Sequence, residues 1–132
     1  MINYSLEDLN YKHCLALDKF QKKNYKHLKQ NIWSKKELEE LLKKNLFGTI
    51  CKENKEIIAF FLAHKCHDFL EILSIFVSPS YRRMGIAETI LDNCIFFCKK
   101  EKIKKIFLEV SVNNTFAKEL YLKKNFVIHT IR

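Results

Sequence analysis

The chain has 132 residues, the length of one ordinary domain, and 48% of them are hydrophobic, which argues against an intrinsically disordered protein. We therefore expect a single domain over residues 1–132. The net charge of +9 invites acidic partners, but the lysines are scattered, so much of this charge is expected to be solvated surface.

The five cysteines are odd in number and form no C-x-x-C pair, and the sequence has neither a signal peptide nor an apolar span of membrane length. We expect a cytoplasmic protein with reduced thiols and no membrane segment. Cys94 and Cys98 lie one helical turn apart on a predicted buried face, where they act as small core residues. Strand alternation directs His64 and Cys66 one way and His67 the other, so no metal site is predicted.

The N-terminal part of the chain is predicted to form a short strand and then a helix. Residues 2–4 are strand-like, and Ser5 can cap the helix. One stripe of this helix contains Leu6, Leu9, His13 and Leu17. The polar, basic segment 21–31 is compatible with either a helix or an ordered loop, and it is expected to border the acceptor groove of any active site.

A second helix is predicted over residues 35–44. Ser34 is followed three residues later by Glu37, which is the spacing of a capping box. Trp33 precedes the cap and can pack onto Leu38 as a hydrophobic staple.

Three strands follow this helix. Residues 47–52 and 57–64 are strand-like and are joined by a polar turn, so they predict an antiparallel hairpin. Residues 69–77 are apolar on both faces, which places this strand in the middle of the sheet.

The remaining elements are a helix after Gly85, a strand at 106–110 buried on both sides, a helix capped by Asn113 or Asn114, and a strand at 126–131. The element order is β-α-α-β-β-β-α-β-α-β. It predicts an α/β fold with a mixed central sheet of about six strands and about four flanking helices. The strands at 69–77 and 106–110 should lie side by side.

The turn before the third helix is a candidate polyphosphate site. Arg82 and Arg83 are separated only by Met84 from Gly85, where the helix must begin. The first backbone N–H groups of a helix attract anions, arginine adds forked donors, and glycine lets an anion approach the backbone. A basic strand-to-helix turn can also be only a turn, so this motif does not decide the function alone.

The pattern Arg82-x-x-Gly85-x-Ala87 resembles the acyl-CoA loop of the GNAT acetyltransferase superfamily. Three blocks carry the likeness: Trp33-Ser34, IFVSPSYRRMGIA, and LEVSVNNTFAKELYLKKNF over residues 108–126. The order of elements is also similar to that of the GNAT fold, so the resemblance covers most of the chain. Within the superfamily the three blocks are similar to the bacterial ribosomal-protein-alanine N-acetyltransferase group.

The resemblance implies a binding site for acetyl-CoA as co-substrate and no metal. The loop residues implied to surround the pyrophosphate are Arg82, Arg83, Met84, Gly85, Ile86, Ala87 and Glu88. The backbone of Ile75, Phe76 and Val77 is implied to pair with the pantetheine arm, and Asn114 to hydrogen-bond near the pantetheine or the thioester. Glu88 stands where related enzymes often have a basic residue, so we expect it to weaken CoA binding.

The resemblance also implies two catalytic residues: Tyr121 as the general acid for the departing thiolate and Glu109 as the base for the amine. A carboxylate such as Glu109 at the end of a buried strand is costly unless it reaches a partner or a cleft, although it could also face water at the sheet end. Tyr121 could equally be a core tyrosine with a hydrogen-bonded hydroxyl. Glu71 is a second candidate base.

The predicted function is N-acetylation of a protein N-terminus, with a ribosomal protein as the expected acceptor. Acetylation of a small amine or polyamine is one alternative. Another is a non-catalytic CoA-binding protein, because the family normally continues for one more strand beyond Arg132 and that strand closes the acceptor groove. A nucleic-acid binder rests on charge alone and is the least favoured. A monomer and a homodimer are both compatible with the sequence.

Overall fold

The computed structural model describes residues 3–28, 32–108 and 115–124, and in these ranges it has a mixed five-stranded sheet and four α-helices. The elements are β1 (Ser5–Asp8), α1 (Cys14–Lys23), α2 (Lys35–Leu42), β2 (Leu46–Glu53), β3 (Glu56–Cys66), β4 (Phe69–Val77), α3 (Ile86–Lys100), β5 (Lys105–Leu108) and α4 (Thr115–Lys123). The strand order is β1-β2-β3-β4-β5, with all pairs antiparallel except the parallel β4–β5 pair. The predicted α/β class and mixed sheet are confirmed, whereas the strand predicted at 126–131 lies outside the described residues.

The core consists of two apolar layers, one on each face of the sheet. On one face Phe60 of β3 and Phe76 of β4 are cross-strand partners, and Phe20 of α1 packs against both rings with centroids 6.0 Å away. On the other face Phe61 and Ile75 pair in the same way beneath α3 and α4. β4 is therefore buried on both faces between β3 and β5, which confirms its predicted position in the middle of the sheet.

The prediction for the N-terminus is wrong. The described strand runs over Ser5–Asp8 and pairs antiparallel with β2, so Ser5 is a strand residue rather than a helix cap. The cap is Asn10, whose side chain and backbone N–H bond the turn that ends at His13, and α1 begins only at Cys14. Pairing with β2 decides this segment, because an edge strand with mostly polar side chains has no apolar alternation of its own.

The connection between α1 and α2 is held by one buried amide. Gln21 is fully buried, its Nε2 donates to the Trp33 carbonyl at 2.8 Å, and its Oε1 accepts from the Trp33 N–H at 2.8 Å. The predicted capping box is present directly after it, with Glu37 N–H donating to Ser34 Oγ and Ser34 N–H donating to Glu37 Oε1. The Gln21 amide and the Ser34–Glu37 capping box together fix where α2 begins.

β5 was predicted to be buried on both sides, and in the structure one side of it is exposed. The side chain of Phe107 is 49% exposed and packs edge-on against Phe69 of β4, with ring centroids 5.2 Å apart. The prediction that β4 and β5 lie side by side is confirmed for the described residues. The two strands pair in parallel from Phe69–Lys105 to Ile72–Leu108.

Candidate active site

A pocket of about 460 Å³ opens at the N-terminus of α3. Its wall combines the end of β4, the turn before α3, the first turn of α3 and one side of α4. The predicted site residues that line it are Val77, Arg82, Arg83, Gly85, Ile86, Ala87 and Glu88. The sequence motif therefore surrounds a real concavity.

The first turn of α3 presents backbone donors to this pocket. Gly85 is the N-cap residue, and as a glycine it has no side chain that could cap the helix. Its φ of +79° lies in the left-handed region, and a Cβ at this position would meet nothing within 4 Å, so the backbone here faces open space. Arg83, two residues earlier, also has a positive φ of 64°. Such a turn leading into a helix forms a concave array of N–H groups that suits an anion.

Arg82 lies against the end of β4. Its Nε donates to the Val77 carbonyl at 3.0 Å, and its Cζ lies 5.3 Å from the centre of the Phe76 ring. Burial lowers the pKa of Arg82 from its usual value, but a guanidinium remains charged at neutral pH. Arg82 therefore joins the turn to the sheet and supplies positive charge to the pocket, whereas the side chain of Arg83 is exposed.

Glu88 forms ion pairs with Lys123, the last residue of α4, and with Lys124, which follows it. Its Oε1 accepts from Lys123 Nζ at 2.5 Å and its Oε2 lies 3.4 Å from Lys124 Nζ. Lys124 also bonds Asp92, one turn further along α3, at 3.0 Å. The hydrogen bond from Lys123 is the main reason why the pKa of Glu88 lies below its usual value. The carboxylate expected to oppose CoA binding is thus part of an ion cluster between α3 and α4.

Of the three β4 residues predicted for the site, Val77 lines the pocket, and Ile75 and Phe76 do not. Ile75 and Phe76 direct their side chains into opposite apolar layers, so neither side chain is directed at a ligand. Within the described residues the pairing of β4 with β5 ends at Ile72, just before Leu73, which has no cross-strand partner in β3. Ser74 follows this irregularity, and its buried Oγ has no hydrogen-bond partner among the described residues.

A protein-family model described as the acetyltransferase (GNAT) family matches residues 13–126. The chain belongs to this family. It is also 30% identical over 80 residues to the [ribosomal protein bS18]-alanine N-acetyltransferase of Escherichia coli strain K12, a match that covers 61% of this chain and 54% of that protein. The chain thus spans about half the length of the curated relatives it matches.

Solved structures agree with the GNAT fold. The crystal structure of the ribosomal-protein-S18-alanine N-acetyltransferase from Escherichia coli superposes with a TM-score of 0.83 at 21% identity, covering 97% of this chain and 80% of the other. The PaiA N-acetyltransferase from Thermoplasma acidophilum, solved in complex with coenzyme A, gives a TM-score of 0.78 at 16% identity, covering 97% and 92%. The family and fold predicted from the sequence blocks are confirmed.

Tyr121 of this GNAT chain is buried rather than on the pocket wall. Its side chain is 4% exposed and packs in the same apolar layer as Cys94 of α3, while its neighbour Leu120 lines the pocket. Burial raises the pKa of Tyr121 above its usual value, so the phenol stays protonated through the neutral range. Glu109 and Asn114, the other two residues predicted at the reacting end, lie outside the described residues.

The other predicted positions are less directly connected to the pocket. Met84 is 50% exposed and does not line it, and Glu71 is a half-buried residue of β4 paired with His64 of β3. Cys94 and Cys98 are buried as predicted.

Four pocket residues were missed by the sequence analysis: Tyr81, Glu119, Leu120 and Lys123. Tyr81 precedes the arginine pair and belongs to the quoted loop block, so the motif itself could have indicated it. The three α4 residues lie in the third quoted block, but only the packing of α4 beside α3 brings them to the pocket.

Two negative predictions concern metals and membranes. No group of three or more His, Cys, Asp or Glu side chains is arranged to hold a metal ion in the described ranges. The helices of those ranges lack the combined length and apolar character of a membrane-spanning segment.

Proposed function

We propose that this chain transfers an acetyl group from acetyl-CoA to the α-amine of a protein N-terminus. The observation that carries the proposal is the pocket at the start of α3, where uncapped backbone donors, Gly85 and two arginines converge. Membership of the GNAT family supports acetyl transfer as the reaction class.

Acetyl-CoA fits the chemistry of this pocket as the donor substrate. Its phosphate groups match the positive end of α3 and the guanidinium groups of Arg82 and Arg83, because anions are favoured at helix N-termini. Its pantetheine arm carries amides, which match the backbone of Ile75, Phe76 and Val77 beyond the end of the described β4–β5 pairing.

The proposed reaction needs one base and one acid. Glu109 receives a proton from the amine, directly or through water, as the amine nitrogen forms a bond to the thioester carbon. The C–S bond then breaks and Tyr121 donates its proton to the departing sulfur. The buried Tyr121 is protonated at neutral pH, which supports this role, and Asn114 orients the pantetheine near the thioester. Glu71 of β4 is the alternative base.

The acceptor half of the proposal rests on similarity and on amine chemistry. The 30% identical Escherichia coli relative is named for the alanine terminus of ribosomal protein bS18, so a ribosomal protein is the proposed acceptor. An α-amine has a pKa of about 7.7–8.0 against about 10.4 for lysine, so much more of it is neutral and nucleophilic at pH 7. A weakly activating base is sufficient for such an amine.

The test has two stages. Calorimetric titration with acetyl-CoA measures the donor site first, and we expect binding in the micromolar range, about 8 kcal/mol of binding free energy. Mass spectrometry then follows acetylation of a peptide that has an N-terminal alanine and an internal lysine. The same peptide with a blocked N-terminus is measured beside it. Spermidine provides a small-amine control.

We expect a single acetyl group on the free N-terminus and none on the blocked peptide. Acetylation of lysine or spermidine alone would contradict the acceptor assignment and leave the donor site intact. Binding without any transfer would favour the non-catalytic alternative. Absence of binding would contradict the whole proposal.

A further inference from the structure

Lys123 lines the same pocket as the arginine turn but belongs to a different element. It belongs to α4, while Arg82 and Arg83 belong to the turn before α3, and all three side chains line the same concavity. The pocket therefore has cations from two elements. The sequence motif accounts for only one of them.

The two lysines bound to Glu88 differ in their exposure and in the number of their carboxylate partners. Lys124 is 19% exposed and bonds both Glu88 and Asp92, whereas Lys123 is 64% exposed and its ion pair is with Glu88. An exposed ion pair at the end of a long side chain contributes little stability, because solvent screens it and the side chain loses rotamer freedom. Although the Lys123–Glu88 contact is short, little stability is therefore lost when Lys123 leaves Glu88, and Glu88 keeps Lys124 as its counter-ion.

We propose that Lys123 exchanges its Glu88 partner for a phosphate group of acetyl-CoA when the donor binds. This inference rests on the proposed function, because it assigns a further ligand to the same donor site. The bound phosphate then has arginine and backbone donors from the turn and the start of α3, and an ammonium from α4. Glu88 sets the threshold for this exchange, because it competes with the phosphate for Lys123.

Glu119 lies one helical turn before Lys123 and also lines the pocket. The carboxylate of Glu119 adds negative charge to the part of the pocket wall formed by α4. The ammonium group of Lys123 offsets this charge and so favours the approach of a phosphate. A lysine on the same helix but away from the pocket provides the matched control. Lys118 is such a residue, because it is not part of the pocket lining.

The experiment is calorimetric titration of the whole chain with CoA, dephospho-CoA and pantetheine. Wild type, Lys123→Gln and Lys118→Gln are compared at two salt concentrations. We expect Lys123→Gln to weaken CoA binding by about three- to tenfold and to reduce its salt dependence, with pantetheine unaffected. A loss shared by dephospho-CoA assigns the pyrophosphate as the partner, and a loss confined to CoA assigns the 3′-phosphate. Lys118→Gln should bind all three compounds as wild type does.

The Glu88→Gln variant tests the exchange itself. Without the competing carboxylate, CoA should bind more tightly than to wild type, and Lys123→Gln should then have a larger effect than in the wild-type background. Equal CoA affinity for Lys123→Gln and Lys118→Gln, or an equal loss for CoA and pantetheine, would overturn the inference while leaving the proposed function intact. Failure of wild type to bind CoA would overturn both.

Discussion

The hydroxyl of Tyr81 donates to Oε1 of Glu53 over 2.5 Å and thereby joins the turn before α3 to the end of β2. Tyr81 also lines the pocket, and this hydrogen bond is the main cause of the raised pKa of its phenol. Arg82, the next residue, bonds the end of β4. The turn that carries the arginines is thus attached to two different strands, which fixes its position relative to the N-terminus of α3.

Replacing Tyr81 by Phe should weaken acetyl-CoA binding without unfolding the protein. The ring still fills its place, but the turn loses its link to Glu53 and becomes less well ordered before the ligand arrives. We expect a loss of affinity of about threefold by calorimetry. Tyr25→Phe is the control, because Tyr25 is 69% exposed and remote from the pocket lining. Equal affinities of the two variants would show that the link to Glu53 is not needed.

Tyr121→Phe should separate chemistry from binding. The ring remains in its apolar layer beside Cys94, but the proposed proton donor for the sulfur is lost. We expect the rate of transfer to fall by about 10²- to 10⁴-fold while acetyl-CoA affinity stays nearly unchanged. Single-turnover rates and calorimetry measure the two quantities separately. A parallel loss of rate and affinity would mean that Tyr121 acts only through packing.

The two glycines of the chain should respond differently to alanine. At Gly48 of β2 a Cβ would overlap the carbonyl oxygen of Phe61 in β3, which cannot move without shifting the strand. We expect Gly48→Ala to lower the free energy of unfolding by about 3 kcal/mol. At Gly85 a Cβ has room, and only the left-handed φ opposes alanine, so a loss of about 1–2 kcal/mol is expected. Urea unfolding measures both; a milder effect at Gly48 than at Gly85 would contradict this account.

The parts of the fold that were predictable from sequence carry their signal locally. β4 is an apolar run between a polar turn and Pro79, and its predicted bounds agree with the structure. The capping box of Ser34 and Glu37 is likewise local, and so is the turn from Arg82 to Gly85. Each of these patterns lies within a few residues of the feature that it predicts.

The parts that were missed depend on distant partners. Ser5–Asp8 is a strand because β2 supplies its hydrogen bonds, while the helical spacing of Leu6 and Leu9 suggested otherwise. The part of the pocket wall formed by α4 also depends on distant partners. Glu88 and Lys123 are 35 residues apart in sequence and meet only after α4 packs beside α3. Nothing in the local sequence around Lys123 distinguishes it from the other lysines of that segment.

Removing the buried amide of Gln21 should lower the free energy of unfolding by more than the replacement of an exposed polar side chain does. Gln21→Ala leaves both the N–H and the carbonyl of Trp33 without their side-chain partner, and it removes a fully buried side chain. We expect the free energy of unfolding to fall by about 2–3 kcal/mol. Lys23→Ala, an exposed position on the same helix, should stay within about 0.5 kcal/mol of wild type. Urea midpoints at constant m-value make the comparison, and similar midpoints for both variants would refute the role of Gln21.

The ion cluster at Glu88 should make a small, pH-dependent contribution to stability, because solvent screens its exposed pair with Lys123. The pKa of Glu88 is lowered in the folded protein, chiefly by Lys123, whereas in the unfolded chain it should return to about 4.3. The unfolded state then binds the proton more readily, so the contribution is fully present above the unfolded pKa and disappears as the pH falls through the folded value. Glu88→Gln lacks this titration and is the reference. We expect wild type to melt at a higher temperature than Glu88→Gln at pH 7 and the difference to shrink below about pH 4. A difference in melting temperature that stays constant from pH 7 to pH 3 would mean that the Lys123 and Lys124 contacts with Glu88 do not stabilise the packing of α3 against α4.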